Sequence, residues 1–191
     1  MFRRPVRIQS HRQNLENMRV INLFGGPGTG KSTTAAALFA LMKREGYNVE
    51  LVTEFAKDLV WTERNKELND EVYIFGKMYH KLWRLRDKVD YVIIDSPLPT
   101  CLYYDNERID NFRDFVLSAF HTFKNTNFLL KRNFKYQEEG RVQTEEEADL
   151  VDKDIRSMLE RDHIYILKEV CPLGDIKPEE EILELIKVID S

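Results

Sequence analysis

The chain has 191 residues and a formal net charge of −4, and 42% of its residues are hydrophobic and 32% are charged. This length suits one α/β domain with a substantial core, and the composition excludes an intrinsically disordered chain. The negative net charge excludes a uniformly basic nucleic-acid-binding protein, although it leaves room for a local basic face.

The cysteines, the apolar runs and the N-terminal charges bear on metal binding, membrane association and secretion. Cys101 and Cys171 lie far apart and fit no metal-ligand spacing, which predicts free thiols and a cytoplasmic location. No apolar run approaches the length of a membrane span, so we expect no membrane partner. Residues 1–18 predict a basic arm, either a solvated tail or a functional segment, and not a secretory signal. Residues 19–191 are expected to form a single domain.

The first two predicted elements enclose a glycine-rich loop. Residues 20–24 form an apolar run typical of a buried strand, and residues 33–42 predict a helix. Between them, the pattern G-x-x-x-x-G-K-[ST] is matched by Gly25, Gly26, Pro27, Gly28, Thr29, Gly30, Lys31 and Ser32, and Thr33 follows. Strand, loop and helix in this order are the context in which the pattern binds phosphate.

This loop predicts the binding of a nucleoside triphosphate, with ATP as the expected cofactor. Its glycines allow successive backbone N–H groups to point at phosphate oxygens, and the helix N-terminus adds partial positive charge. Lys31 is expected to reach the β- and γ-phosphates, and the Ser32 hydroxyl is expected to bind Mg²⁺. A glycine-rich turn without a ligand is the alternative, which the flanking strand and helix disfavour.

The next predicted strand ends in a carboxylate. Residues 49–53 alternate and are β-branched in part, so they predict a strand that places Glu54 at its carboxyl end. Open α/β sheets bind their ligands at this edge, and Glu54 is therefore a candidate general base. A helical segment over residues 55–61 follows.

A long helix is predicted over residues 70–88, with a basic face and interleaved aromatic residues. Its basic residues are Lys77, His80, Lys81, Arg84, Arg86 and Lys88, and the interleaved rings are Tyr73, Tyr79 and Trp83. Such a face is usually only solvated, but this mixture also suits contact with an acceptor or with nucleic acid.

Residues 91–94 form another apolar run, and Asp95 follows it directly, as in a Walker B strand. An aspartate at this point can hold Mg²⁺ directly or through water. Two alternatives stay open: Asp95 caps the turn that begins with Ser96 and Pro97, or it serves as the general base in place of Glu54.

A loop rich in cations is predicted after the fourth strand, residues 126–130. It covers about residues 131–143 and carries Arg132, Lys135 and Arg141. A phosphotransferase needs such a lid to cover the γ-phosphate and to stabilise the transferred charge. An ordinary charged connector is the alternative.

The remaining predictions are a helix over residues 111–124, a helix from the Thr144 and Glu147 capping box to about 160, a strand over 163–167 and a helix from Pro178. Five strands alternating with helices predict an α/β fold with a doubly wound, parallel five-stranded sheet.

With its phosphate loop, this pattern resembles the small P-loop kinases of nucleosides and nucleotides. Residues 54–58 are similar to the segment after the second strand in bacterial ribosylnicotinamide kinase domains, although Lys57 stands where these relatives usually have arginine. The Asp95 turn and the loop over residues 132–141 resemble that family's Walker B turn and lid. The chain is also similar to phage DNA kinases that phosphorylate 5-hydroxymethyluracil. The resemblance implies the strand order 2-3-1-4-5.

The expected activity is phosphotransfer from ATP, with Mg²⁺, to a hydroxyl of a nucleoside-type acceptor. Lys31, Arg132 and Arg141 are expected to stabilise the transferred phosphoryl group. The basic arm and the basic helix face favour a 5-hydroxymethylpyrimidine base in phage DNA, whereas the net charge suits a free nucleoside, nucleotide or ribosylnicotinamide. A P-loop ATPase switch without a phosphoryl acceptor is a further alternative, although the sequence has no N-K-x-D motif. The oligomeric state stays open.

Overall fold

The chain folds around a parallel β-sheet. The computed structural model describes residues 18–104, 109–132, 144–171 and 176–191. Within these ranges, the five strands are β1 (Arg19–Phe24), β2 (Val49–Val52), β3 (Tyr91–Ile94), β4 (Lys124–Leu130) and β5 (Lys168–Val170). Their order, β2-β3-β1-β4-β5, and their parallel pairing confirm the predicted α/β sheet.

Helices follow or precede each strand. They are α1 (Lys31–Arg44), α2 (Ala56–Trp61), α3 (Asn65–Leu68), α4 (Glu71–Trp83), α5 (Cys101–Tyr104), α6 (Phe112–Phe120), α7 (Glu145–Arg161) and α8 (Pro178–Asp190), and Leu98–Thr100 is a 3₁₀ turn. The predicted capping box of α7 is confirmed, because Thr144 and Glu147 exchange side-chain-to-backbone hydrogen bonds. Among the described residues, each helix is too short or too polar to cross a lipid bilayer.

The alternation of side chains along the strands divides the core into two layers. Ile21 and Leu23 of β1 pack with the buried residues of α1 and α8. Val20 and Phe24 face the other side of the sheet and pack with α4, α6 and α7. The central strand β1 is buried on both faces, which explains why residues 20–24 are apolar except for Asn22.

A buried amide network joins β1 to β4. Asn22 lies opposite Asn127, and its Nδ2 donates to Oδ1 of Asn127 and to Oδ1 of Asn125, both at 2.9 Å. Nδ2 of Asn127 in turn donates to the carbonyl oxygen of Tyr165 at 2.9 Å. These bonds provide partners for amides that lie inside the sheet.

The prediction of a helix over residues 70–88 was too long. The helix α4 ends at Trp83, and the chain then turns, with Asp87 at a φ of 62°. This turn removes Arg86 from the predicted basic face, because its guanidinium packs on the ring of Phe123 at 4.2 Å from the centroid.

The strand predicted over residues 163–167 was wrong, since β5 begins at Lys168. His163 has a φ of 52°, and the N–H of Ile164 still donates to the carbonyl oxygen of Leu159 at the end of α7. Ile164 is buried in the core. The apolar pattern is therefore correct for the burial of Ile164, although Tyr165 is exposed and the segment only follows the end of α7.

The helix predicted over residues 111–124 is also shorter than expected, because α6 ends at Phe120 and β4 begins at Lys124. Phe112 and Phe120 are buried, as a core-facing stripe predicts, whereas Phe115 is exposed. Packing thus accounts for most of this aromatic face.

Candidate active site

The phosphate loop adopts a backbone that its glycines permit. Gly25 and Gly30 have φ values of 140° and 84°, which other residues rarely adopt. A Cβ atom at Gly25 would lie 2.7 Å from Oγ1 of Thr29 and 2.8 Å from the carbonyl oxygen of Leu130. Thr29 is buried and donates its hydroxyl to the carbonyl oxygen of Gly26 at 3.0 Å. The loop is therefore held in shape by its own contacts.

Lys31 lies directly on this loop. Its Nζ donates to the carbonyl oxygens of Gly25 and Gly26, both at 2.7 Å. Ser32 and Thr33 are exposed in the first turn of α1, where free N–H groups and the helix dipole attract anions. This geometry is compatible with the phosphate-binding and metal-binding roles predicted for these residues.

Two carboxylates meet at the carboxyl ends of β2 and β3. Val52 pairs with Ile94, so Glu54 and Asp95 follow neighbouring strands at the same edge of the sheet. The backbone N–H of Glu54 donates to Oδ1 of Asp95 at 2.9 Å, and Asp95 is 4% exposed. The structure therefore brings the two predicted residues together, with the backbone of Glu54 bonded to the carboxylate of Asp95.

The surroundings of Glu54 favour its protonated form. Burial raises the pKa of Glu54 above its ordinary value of 4.5, the charge of Asp95 adds to this effect, and the charge of Lys31 partly offsets it. The influence of Lys31 places Glu54 within electrostatic reach of the phosphate loop. A carboxylate with a raised pKa is a stronger proton acceptor than an ordinary carboxylate.

The raised pKa predicts a cost in stability. A group that binds its proton more tightly in the folded state stabilises the fold at low pH, and this contribution is lost as the pH rises through the folded-state pKa. Near neutral pH, we therefore expect Glu54→Gln to raise the melting temperature, by about 2–4 °C for each kcal/mol of stability gained at this chain length.

Thermal unfolding of wild type and Glu54→Gln across a range of pH measures this cost. The difference should shrink as the pH falls toward 4.5, where the glutamate is increasingly protonated. Glu50→Gln removes a carboxylate from β2 itself, at the exposed Lys43 ion pair, and serves as the control. Equal melting temperatures for all three proteins near neutral pH would contradict the prediction.

Aromatic rings and lysines lie beside this carboxylate pair. The rings of Phe55 and Tyr73 meet edge to face with centroids 5.5 Å apart, and Nζ of Lys77 lies 5.3 Å from the Tyr73 centroid. Nζ of Lys81 lies 5.7 Å from the Phe55 centroid and donates to the carbonyl oxygen of Thr53 at 2.8 Å. Part of the predicted basic face therefore borders the candidate site.

Arg132 approaches the loop from the other neighbour of β1. It follows β4, which pairs with β1, and its side chain is 7% exposed. Its Nη2 donates to the carboxylate of Asp149 and, at 3.0 Å, to Oδ2 of Asp152, both on α7. Lys135 and Arg141, the other cations of the predicted lid, lie outside the described residues.

Sequence reasoning missed Asp152 and Tyr104. The N–H of Gly26 donates to Oδ1 of Asp152 at 2.5 Å, and Asp152 directly follows the buried Val151 on α7. The sequence did contain an indication of this contact. Asp152 is an acidic residue next to the buried face of α7, a helix that begins near the sheet edge where ligands bind. Burial raises the pKa of Tyr104, and the nearby charge of Glu54 adds to this effect.

The oxygen donors at the loop fit Mg²⁺. This ion prefers hard oxygen ligands and keeps several waters, so it needs few protein ligands beside phosphate oxygens. Ser32 offers an exposed hydroxyl, and Asp95 offers a carboxylate oriented by the backbone of Glu54. Ser32 and Asp95 are therefore suited to hold the metal, and their role as ligands stays a prediction.

Relatives found by sequence cover part of the chain. The flagellar biosynthesis protein FlhF of Helicobacter pylori is 25% identical over 134 residues, which is 65% of this chain and 29% of that protein. A probable thymidylate kinase of Sulfurisphaera tokodaii is 27% identical over 94 residues, which is 46% of this chain and 50% of that protein. The chain thus spans half the length of these relatives or less.

Solved structures share the fold over most of the chain. Deoxyadenosine kinase from M. mycoides with bound dCTP has a TM-score of 0.58 at 18% identity, over 90% of this chain and 100% of that one. Thymidylate kinase from Ehrlichia chaffeensis has a TM-score of 0.56 at 16% identity, over 91% of this chain and 99% of that one. The chain therefore shares the fold of these two kinases.

A sequence profile identifies the family. The profile described as an AAA domain matches residues 20–174. The match begins in β1, includes the phosphate loop, both carboxylates and Arg132, and ends beyond β5. Because it covers well over half of the 191 residues, the chain belongs to the AAA domain family.

Proposed function

We propose that this protein is an ATP- and Mg²⁺-dependent kinase that transfers the γ-phosphate to a hydroxyl of a nucleoside or nucleotide. The observation that carries the proposal is the Glu54–Asp95 carboxylate pair at the sheet edge that bears the phosphate loop. A kinase needs a group that accepts the hydroxyl proton near the γ-phosphate. Glu54 combines a raised pKa with proximity to Lys31. The fold shared with deoxyadenosine and thymidylate kinases supports the same reaction.

Each residue of the site has a part in this transfer. The triphosphate lies along the phosphate loop, where Lys31 and Arg132 stabilise the charge of the moving phosphoryl group. The acceptor oxygen forms its bond to the γ-phosphorus while the bond from that phosphorus to the β–γ bridging oxygen breaks, and ADP leaves. Glu54 takes the hydroxyl proton. Ser32 and Asp95 would hold Mg²⁺, which would supply positive charge near the transferred phosphoryl group.

The surroundings of Glu54 support a nucleoside-type acceptor. Phe55 and Tyr73 offer aromatic surfaces for a base. Lys77 and Lys81 border the same rings and favour an acceptor that carries phosphate, as a free nucleotide or within DNA. A free nucleoside or ribosylnicotinamide is the alternative without that phosphate.

A transfer screen with γ-labelled ATP tests the proposal. Its acceptors are nucleosides, mononucleotides, ribosylnicotinamide and duplex DNA that contains 5-hydroxymethyluracil. We expect Mg²⁺-dependent labelling of one acceptor class and negligible ATP turnover without it. Hydrolysis that needs no acceptor and yields no labelled product would contradict a kinase. That result would support an ATPase switch, the second candidate, which membership of the AAA domain family favours.

A 5-hydroxymethylpyrimidine base in phage DNA is the narrowest acceptor that we propose. Lys77 and Arg84 are exposed and seven residues apart, so they lie on one side of α4 and its C-terminal turn. If both contact DNA phosphates, Lys77→Glu/Arg84→Glu should flatten the plot of log affinity against log salt by about two units. Salt titrations with hydroxymethylated and plain duplexes measure this slope.

A matched charge reversal controls this measurement. Lys43→Glu/Arg44→Glu changes the same charge at the far end of α1, away from the ligand edge, and should keep the wild-type slope. ATP affinity should be unchanged in both variants. Absence of duplex binding at low salt, together with turnover of a free nucleoside or nucleotide, would restrict the acceptor to small molecules.

We also propose a cytoplasmic location, which is the host cytoplasm for a phage-encoded protein. Cys101 and Cys171 are both free thiols, as is usual for proteins that stay in a reducing compartment. ATP is supplied in the same compartment.

A further inference from the structure

An acidic side chain occupies a donor of the phosphate loop. The backbone N–H of Gly26 donates to Oδ1 of Asp152 at 2.5 Å. A Cβ atom at Gly26 would collide with this carboxylate, so the absence of a side chain at this position permits the approach. Backbone N–H groups of such loops are the donors that bind phosphate oxygens. The carboxylate of Asp152 is therefore bound to a backbone donor of the loop.

The same carboxylate also holds the arginine expected to act on the γ-phosphate. Oδ2 of Asp152 accepts from Nη2 of Arg132 at 3.0 Å, and Asp149 accepts from the same nitrogen. Asp152 thus bridges the loop and Arg132 with its two oxygens, as the oxygens of a bound phosphate would. Without this bridge, the nearly buried Arg132 would lose a charged partner at a considerable cost.

The electrostatics of Asp152 indicate that its charge is only partly compensated. Burial raises the pKa of Asp152, while the N–H of Gly26 and the charges of Arg132 and Lys31 act in the opposite direction. An anion with more charge, such as a triphosphate, gains more from the same donors. Phosphate in place of the carboxylate would give these donors an anion of higher charge.

We propose that Asp152 is an internal competitor of the nucleotide, which occupies the phosphate loop and Arg132 until phosphate displaces it. This inference rests on the proposed function in one respect, namely that nucleotide binds this loop. Displacement transfers the Gly26 N–H and Arg132 together to the phosphates. The arginine is thereby made available at the moment when nucleotide arrives, and the nucleotide binds more weakly than an unoccupied loop would allow.

Calorimetric binding of a non-hydrolysable ATP analogue with Mg²⁺ tests the inference. Asp152→Asn removes the competing charge and is expected to tighten binding by about tenfold, equivalent to about 1.4 kcal/mol. Asp149→Asn removes the same charge from α7 at a more exposed site, and Asp149 is bonded to Arg132. Because solvent screens that position, its affinity should change by less than about threefold.

A second variant and a second readout keep the test decisive if Asp152→Asn folds poorly. Asp152→Ser is too short to reach the loop and should tighten binding in the same way. In amide NMR spectra of wild type, the chemical shift of the Gly26 amide should change when the analogue binds. In the ligand-free Asp152 variants, this chemical shift should already differ from that of ligand-free wild type.

Three results would overturn the competitor role. The first is that the Asp152 variants bind the analogue no more tightly than wild type. The second is that Asp149→Asn tightens binding equally. The third is that neither the analogue nor the Asp152 substitutions move the Gly26 resonance. Failure of nucleotide binding, the part of the proposed function on which this inference rests, looks different, because neither wild type nor the Asp152 variants would then bind the analogue.

Discussion

Replacing Lys31 with alanine is expected to lower the rate of phosphotransfer by about two to five orders of magnitude. Electrostatic groups aimed at a transferring phosphoryl group contribute roughly 3–7 kcal/mol to the barrier. Nζ of Lys31 lies on the loop, where it donates to the carbonyl oxygens of Gly25 and Gly26. Its charge is therefore positioned to serve bound phosphates, and its polar contacts are with the loop.

Single-turnover transfer from labelled ATP measures this loss, and circular dichroism checks that the fold is unchanged. Lys43→Ala is the matched control, because Lys43 stands at the opposite end of α1 and is exposed. The control should retain the wild-type rate. A Lys31→Ala protein that transfers phosphate at a near-native rate would refute the kinase mechanism.

The second large effect is expected at the carboxylate pair. Glu54→Gln should lower the turnover number by about two to four orders of magnitude, as is typical when a general base is lost, with ATP affinity nearly unchanged. Asp95→Asn should instead weaken the response to Mg²⁺, because its carboxylate is suited to the metal.

The pH profile adds an independent check on Glu54. A general base works only when deprotonated, so the rate should fall as the pH drops through the pKa of Glu54, above the ordinary value of 4.5. Steady-state rates across pH and Mg²⁺ concentration, with Glu50→Gln as control, separate the roles. A silent Glu54→Gln at saturating acceptor would assign the base to Asp95.

The parts of the site that were predictable are those that depend on neighbours in the chain or on sheet topology. The phosphate loop is a local pattern, and its strand and helix are formed as expected. Glu54 and Asp95 are 41 residues apart, yet their meeting follows from parallel strands that end at one edge. Hydrophobic periodicity and the parallel arrangement of the strands are sufficient to predict these parts of the site.

The contact of Asp152 with the loop was not predictable in this way. Asp152 and Gly26 are 126 residues apart, and their hydrogen bond depends on how α7 packs across the sheet. Helical periodicity identifies the buried stripe of α7, but it does not say which strand end lies beneath a residue beside that stripe. The prediction of where α4 ends was wrong for a similar reason, because Arg86 packs on Phe123, which is distant in the chain.

The buried amides of β1 and β4 have a consequence for how reproducibly the site is assembled. β1 leads into the phosphate loop and β4 leads to Arg132, so sliding one strand past the other would separate the loop from its arginine. A slip of two residues in either direction leaves Asn22 or Asn127 without one of its amide partners. Each orphaned polar group costs about 1–3 kcal/mol. The amide network thereby raises the free energy of folding intermediates in which β1 and β4 are misaligned. Folded molecules therefore share one distance between the phosphate loop and Arg132.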